Sequence, residues 1–200
     1  MSLVIQSAPG SEPVTTAEAK AHARVTTSSD DTYIGALITA ARVLFEALTS
    51  RSLISQTLDY RLDGFPCDST EPIELPRAGG QLLKSINTVS SISYVDTDGN
   101  TQTWGTSNYT ADIYSVPARI VPAYSIVWPT TRAVINAVTV RFTVGETAAS
   151  TVDENIKLAI KQLVSHWYRR REPVGVNISA AEIPMTTMAL IDQFKWNMLR

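Results

Sequence analysis

The sequence predicts an α+β fold: a small helical platform of about four helices with a β-rich insertion between the second and third helices. Three observations predict it. Apolar residues recur at three- and four-residue spacing near both ends of the chain; through the middle they alternate with period two; and turn residues punctuate that middle stretch. The chain therefore reads as one domain over residues 1–200. Residues 1–52 form N-terminal helices, 53–147 the β-rich insertion, and 148–200 the C-terminal helices and tail.

The first helix opens at Thr15-Thr16-Ala17-Glu18, a capping-box pattern, and runs to about Arg24. The Thr26–Asp31 cluster caps a second helix. There Tyr33, Ile34, Leu37, Ile38, Ala41, Leu44, Phe45 and Leu48 form one apolar stripe, with Thr39, Arg42, Glu46 and Thr49 on the other faces. After Arg51 the period becomes two. Residues 55–62 suit a half-buried strand, and Ile73, Leu75 and Pro76 a short edge segment. Residues 86–95 form a strand ended by the Asp96–Gly99 turn, with Tyr109 to Ile113 as the expected returning strand. Val138, Val140, Phe142 and Val144 alternate in the clearest strand, which Gly145 closes. Thr151-Val152-Asp153-Glu154 repeats the capping-box spacing and starts a third helix, whose stripe is Ile156, Ala159, Ile160, Leu163, Val164 and Trp167. Pro173 and Gly175 stop it, residues 173–182 read as a linker, and Pro184 starts a last helix with Met185, Met188, Ile191 and Phe194 inward.

Composition excludes several classes. With 44% hydrophobic and 18% charged residues the chain is globular, not disordered. A net charge of −2 does not advertise a nucleic-acid binder. The charge is uneven: 4 basic and 5 acidic groups in 1–52 give −1, 6 and 9 in 53–147 give −3, and 7 and 5 in 148–200 give +2. The acidic middle and basic end could serve head-to-tail contacts between copies, or could be solvated faces. A single cysteine, Cys67, rules out an internal disulfide framework and a thiolate metal cluster. No secretory signal is expected, and no stretch approaches 18 consecutive apolar residues.

Catalytic and cofactor signatures are missing. Only His22 and His166 exist, without HExxH or CxxC spacing, so no metal and no cofactor is expected. Asp96-Thr97-Asp98-Gly99-Asn100 reads better as a β-turn than as a calcium loop, because the bidentate glutamate is missing. No nucleophile elbow or phosphate-cradling loop occurs. Two features stand out. Arg169-Arg170-Arg171 close the third helix, where they either satisfy the last carbonyls or meet an acidic partner or DNA phosphate. Three consecutive arginines cannot all face one ligand. The chain end, with Phe194, Trp196, Met198, Leu199 and Arg200, crowds apolar side chains that either dock on a partner or pack in the subunit's own core.

The order of segments also carries a resemblance. Pro13 to Val25 resembles the "VTLAEAKAHLRV" opening of the head–tail connector (adaptor) family of long-tailed phages and gene transfer agents. The likeness continues through Asp30-Asp31, Ile34 to Ala41, Arg51 to Thr57, Leu75-Pro76-Arg77, Val89 to Gly99, Trp128-Pro129 and Asn136-Ala137-Val138. Near the end His166 to Glu172 is similar to the family's "HWYENRE" and Ile183-Pro184 to its "LP". Arg170, and Gly145 followed by Glu146, depart from its pattern. The resemblance implies a non-enzymatic virion protein, made in the host cytoplasm and placed in the neck at the head–tail junction. It would form a ring homo-oligomer, usually a dodecamer, beneath the portal protein. The ring would continue the DNA channel for duplex DNA passing without specific binding, and would carry a stopper or other next neck protein; no membrane is implicated. The portal contact is placed on Phe194, Trp196, Met198, Leu199 and Arg200, and inter-subunit or DNA-facing contacts on Arg169, Arg170 and Arg171. The alternatives are a DNA-binding module built on the basic C-terminal helices, which a steep salt dependence would reveal, and an enzyme using scattered acids, which nothing in the spacing supports.

Overall fold

In the computed structural model, residues 1–68, 71–76, 86–115, 117–170 and 183–195 are described. The architecture is α+β, with four helices and eight strands in two sheets among the described residues. The chain divides into a β-rich unit, Met1–Pro9 with Ser55–Gly145, and a helical unit, Gly10–Ile54 with Glu146–Arg200.

The β-rich unit is built around the most regular alternation in the sequence. β8 (Val138–Val144) buries Val138, Val140, Phe142 and Val144 and pairs antiparallel on both sides, with β2 (Gln56–Leu62) and β4 (Thr88–Val95). A strand paired on both edges loses all its backbone groups to ladders, which suits a continuous β-branched run. The sheet order is β1-β2-β8-β4-β5, where β1 is Ser2–Ser7 and β5 is Thr101–Trp104. A three-stranded sheet follows the order β3-β7-β6, with β3 at Ile73–Glu74, β6 at Tyr109–Asp112 and β7 at Arg119–Pro122. One buried cluster takes side chains from both sheets, including Leu58, Ile73, Ile92, Ile120, Val140 and Phe142. Trp104 and Trp128 belong to this cluster, with their rings 4.9 Å apart, and Phe65, packed against it, stacks on Trp128 at 5.0 Å; such pairs add about 0.5–1.5 kcal/mol each beyond burial.

Two β-region expectations change. The strand returning from the Asp96 turn is β5, not Tyr109 to Ile113, which instead supplies β6 in the second sheet. The reason is local: Asp96 Oδ1 accepts from the backbone N–H groups of Asp98 and Asn100, and Oδ2 from Gln102 Nε2, so the chain reverses at once. Those bonds, led by the one from Gln102, hold the Asp96 carboxyl below the ordinary range. β1 had no sequence signal, because all six of its residues are exposed and none joins the core.

In the helical unit, α1 (Thr16–Ala23) begins with the expected capping box. Thr15 Oγ1 accepts from Glu18 N–H at 3.2 Å, and Thr15 N–H donates to Glu18 Oε2 at 2.7 Å. α2 (Asp31–Thr49) buries Ile34, Ile38, Ala41 and Phe45. α3 (Glu154–Arg169) buries Ile156, Ala159, Ile160, Leu163 and Val164. These two faces meet, and α1 and α4 (Met185–Asp192) close around them. α2 is long and apolar enough to cross a membrane by length and composition. Here its apolar face is the core of a helix cluster, and it carries a buried arginine.

Three details differ from the sequence reading. Arg42 and Thr49 are buried rather than on an outer face. Arg42 is held by Glu12 at 2.8 Å and Glu46 at 2.9 Å, and the Thr49 hydroxyl donates to the Phe45 carbonyl. The cap of α3 is Asp153, whose side chain accepts from Asn155 N–H; Thr151 belongs to a preceding short 3₁₀ turn. In α4, Met185 is exposed, and the inward positions are Thr187, Ile191 and, just past the helix, Phe194.

Candidate functional site

α3 ends where its amphipathic pattern gives way to basic residues. Arg169 is its last residue and Arg170 its C-cap, whose N–H donates to the carbonyls of His166 and Trp167. Both arginines are exposed, and neither has an ion pair among the described residues. Cations here favour the helix dipole. Arg171 lies outside the described residues.

These arginines rim a cavity of about 460 Å³ in the helical unit, lined also by His22 from α1, His166 from α3, and Thr186 and Thr187 from the first turn of α4. The N-cap of α4 is Pro184, whose side chain makes no capping hydrogen bond. Thr187 is fully buried and its hydroxyl donates to Gln162 Oε1 at 2.9 Å, fixing α4 to α3. No carboxylate is among the described residues that line the cavity. His166 Nε2 is enclosed without a hydrogen-bond partner among the described residues. Burial and then the nearby Arg170 push its pKa below the ordinary histidine value of 6.5.

A second cation lies deeper. Arg51 is 4% exposed, and its Nε and Nη1 have no hydrogen-bond partner among the described residues. Burial lowers its pKa. Its guanidinium carbon sits 5.4 Å from the centroid of the Phe194 ring, which packs on Phe45 at 6.0 Å. Phe194 is thus buried in the core of its own helical unit. Trp196, Met198, Leu199 and Arg200 lie outside the described residues.

Elsewhere polar chemistry is consumed by structure. Asp59 and Arg141, directly opposite on β2 and β8, form a two-bond ion pair at 2.7 and 2.8 Å. The bonds from Arg141 hold the Asp59 carboxyl below its ordinary value. Asp112 is held at about 2, chiefly by the Ser115 hydroxyl, with Arg119 contributing. Glu46 is raised by burial despite the Leu53 N–H and Arg42. No group of three or more histidine, cysteine or acidic side chains that could hold a metal ion occurs among the described residues. Sequence reasoning found Arg169 and Arg170 but not Arg51, nor the company of His22. Residues so far apart in the chain meet only through helix packing.

Residues 14–115 match the model of the family described as "Phage gp6-like head-tail connector protein". The match spans just over half of the chain, and the chain belongs to this family of structural connector proteins. Its fold is similar to a chain in the "Neck of empty GTA particle computed with C6 symmetry", at 19% identity and a TM-score of 0.75. It is also similar to chains in the "Virion of native gene transfer agent (GTA) particle", at 20% and 0.72, and in the "Neck of native GTA particle computed with C12 symmetry", at 20% and 0.68. Each likeness covers 100% of this chain and 98% of the other. No curated protein sequence matches the chain.

Proposed function

We propose that this chain is a ring-forming adaptor at the head–tail junction of a phage or gene-transfer-agent particle. About twelve copies sit beneath the portal protein, continue the DNA channel and present a platform for the next neck protein. It works through contacts and turns over no substrate. The family match over residues 14–115 carries this reading. The full-length likeness to chains of gene-transfer-agent necks, one of them computed with C12 symmetry, supports it.

Physical chemistry fits. A ring subunit needs two different complementary surfaces repeated until they close. A channel through which DNA slides is better served by a near-neutral subunit than by a strong phosphate binder, and the net charge is −2. The portal contact falls on Trp196, Met198, Leu199 and Arg200, which follow the packed anchor Phe194. Electron microscopy of the assembled neck, or mixing of purified chain with purified portal, tests this; a chain that stays monomeric and never joins the portal overturns it.

A second reading, a DNA-binding module, draws on the exposed Arg169 and Arg170. Binding of duplex DNA with a steep salt slope supports it, and no binding at low salt removes it.

A further inference from the structure

We propose that the cavity rimmed by Arg169 and Arg170 is a carboxylate-binding site, filled in the assembled ring by the acidic Glu71–Glu74 edge of a neighbouring copy. The inference rests on the ring reading and goes further by naming the groups that meet. The cavity gathers two arginines, two histidines and the first turn of α4, and no described lining residue is acidic. Free N–H groups at a helix start and arginine side chains both bind anions. His166 is among the lining residues.

The occupant follows from shape and charge. A concavity of about 460 Å³ suits one or two carboxylate side chains rather than the continuous backbone of a duplex. A pocketed phosphate grip would also oppose DNA sliding. On this same chain, residues 53–147 carry the −3 imbalance. Within them Glu71 and Glu74 are exposed and have no side-chain hydrogen bond or ion pair among the described residues. Glu74 belongs to β3, an edge strand of its sheet. A basic cavity in the helical unit and an acidic edge in the β-rich unit give the two unlike surfaces that a heterologous, closing interface needs.

The chain has only two histidines, so their ring resonances report on this cavity alone. The experiment titrates the full-length chain with a capped hexapeptide of residues 71–76, and separately with a short DNA duplex, following both histidine signals by NMR. Saturable shifts of both signals are expected with the peptide. They should be lost with the Glu71→Gln/Glu74→Gln peptide and weakened at least about tenfold in an Arg169→Ala/Arg170→Ala chain. Signals that stay fixed at millimolar peptide, or that move with duplex but not with peptide, overturn the proposal. If microscopy shows a ring while the histidines stay silent, only the cavity assignment falls; if no ring forms on the portal, the ring reading itself fails.

Discussion

The Asp59–Arg141 pair makes a prediction whose sign depends on which partner is removed. The side chain of Asp59 is 3% exposed and that of Arg141 is 42% exposed, so the two ends of one ion pair sit in different solvents. Substituting Asp59→Asn leaves an arginine that can swing into water and an amide that still accepts a bond; the expected loss is about 1–2 kcal/mol. Substituting Arg141→Met strips a buried carboxylate of both its donors, and the expected loss is about 3 kcal/mol, the lower end for a broken buried pair because Arg141 is partly hydrated. The pH dependence follows. In the native protein the Asp59 pKa is depressed by Arg141. Its contribution is therefore complete above the ordinary aspartate value and is lost as pH falls through the lower folded value. In Arg141→Met, burial without the arginine raises the same carboxyl, so its penalty is greatest near neutral pH and fades on acidification as the group protonates. Hydrogen exchange of the β2 and β8 amides, compared with urea unfolding from pH 7 to pH 4, measures both variants. The reasoning fails if Arg141→Met costs no more than Asp59→Asn, or if the gap between them does not shrink at low pH.

Four further outcomes are expected. Thr15→Ala removes one half of the capping box and should cost about 1 kcal/mol, read as faster exchange of the α1 amides. Phe142→Ala, at a fully buried site on the central strand, should cost about 3–5 kcal/mol in urea unfolding; a loss below about 1 kcal/mol would contradict its place in the core. Arg51→Met should leave stability unchanged or raised, because it replaces a buried guanidinium whose Nε and Nη1 have no hydrogen-bond partner among the described residues with an apolar side chain; a loss above about 2 kcal/mol would overturn this. Because the His166 pKa is depressed in the fold, the unfolded chain takes up its proton first as pH drops below 6.5. The helical unit should therefore weaken between pH 7 and pH 5.5, and His166→Gln should flatten that slope.

The elements visible in the sequence were those whose side chains repeat against a core. α2, α3 and β8 each bury every third or fourth, or every second, residue, and the periodicity is the burial itself. β1 exposes all its side chains, β5 buries only Trp104, and β7 holds Ile120 and a proline, so their existence is a matter of backbone pairing that periodicity does not record. The buried positions of Arg42 and Asp59 were hidden for a related reason. A charge looks like a surface residue until its partner is known, and Glu12 and Arg141 are remote in sequence. At the cavity, the arginines were legible as an unbroken basic run, whereas His22 entered only because α1 packs on α3.

What the fold leaves unsatisfied says where its work is done. Asp59, Asp96, Asp112, Glu12 and Glu46 all have their carboxylates engaged by arginines, hydroxyls or backbone N–H groups of the same chain. Among the described residues, the polar groups without such partners include Arg51 Nε and Nη1, His166 Nε2, the exposed Arg169 and Arg170, and Glu71 and Glu74. Among the described residues, Arg169 and Arg170 line a cavity of the helical unit, and Glu71 and Glu74 stand at or beside a sheet edge of the β-rich unit. Complementary groups of this kind are what a subunit needs if copies of itself are its ligands.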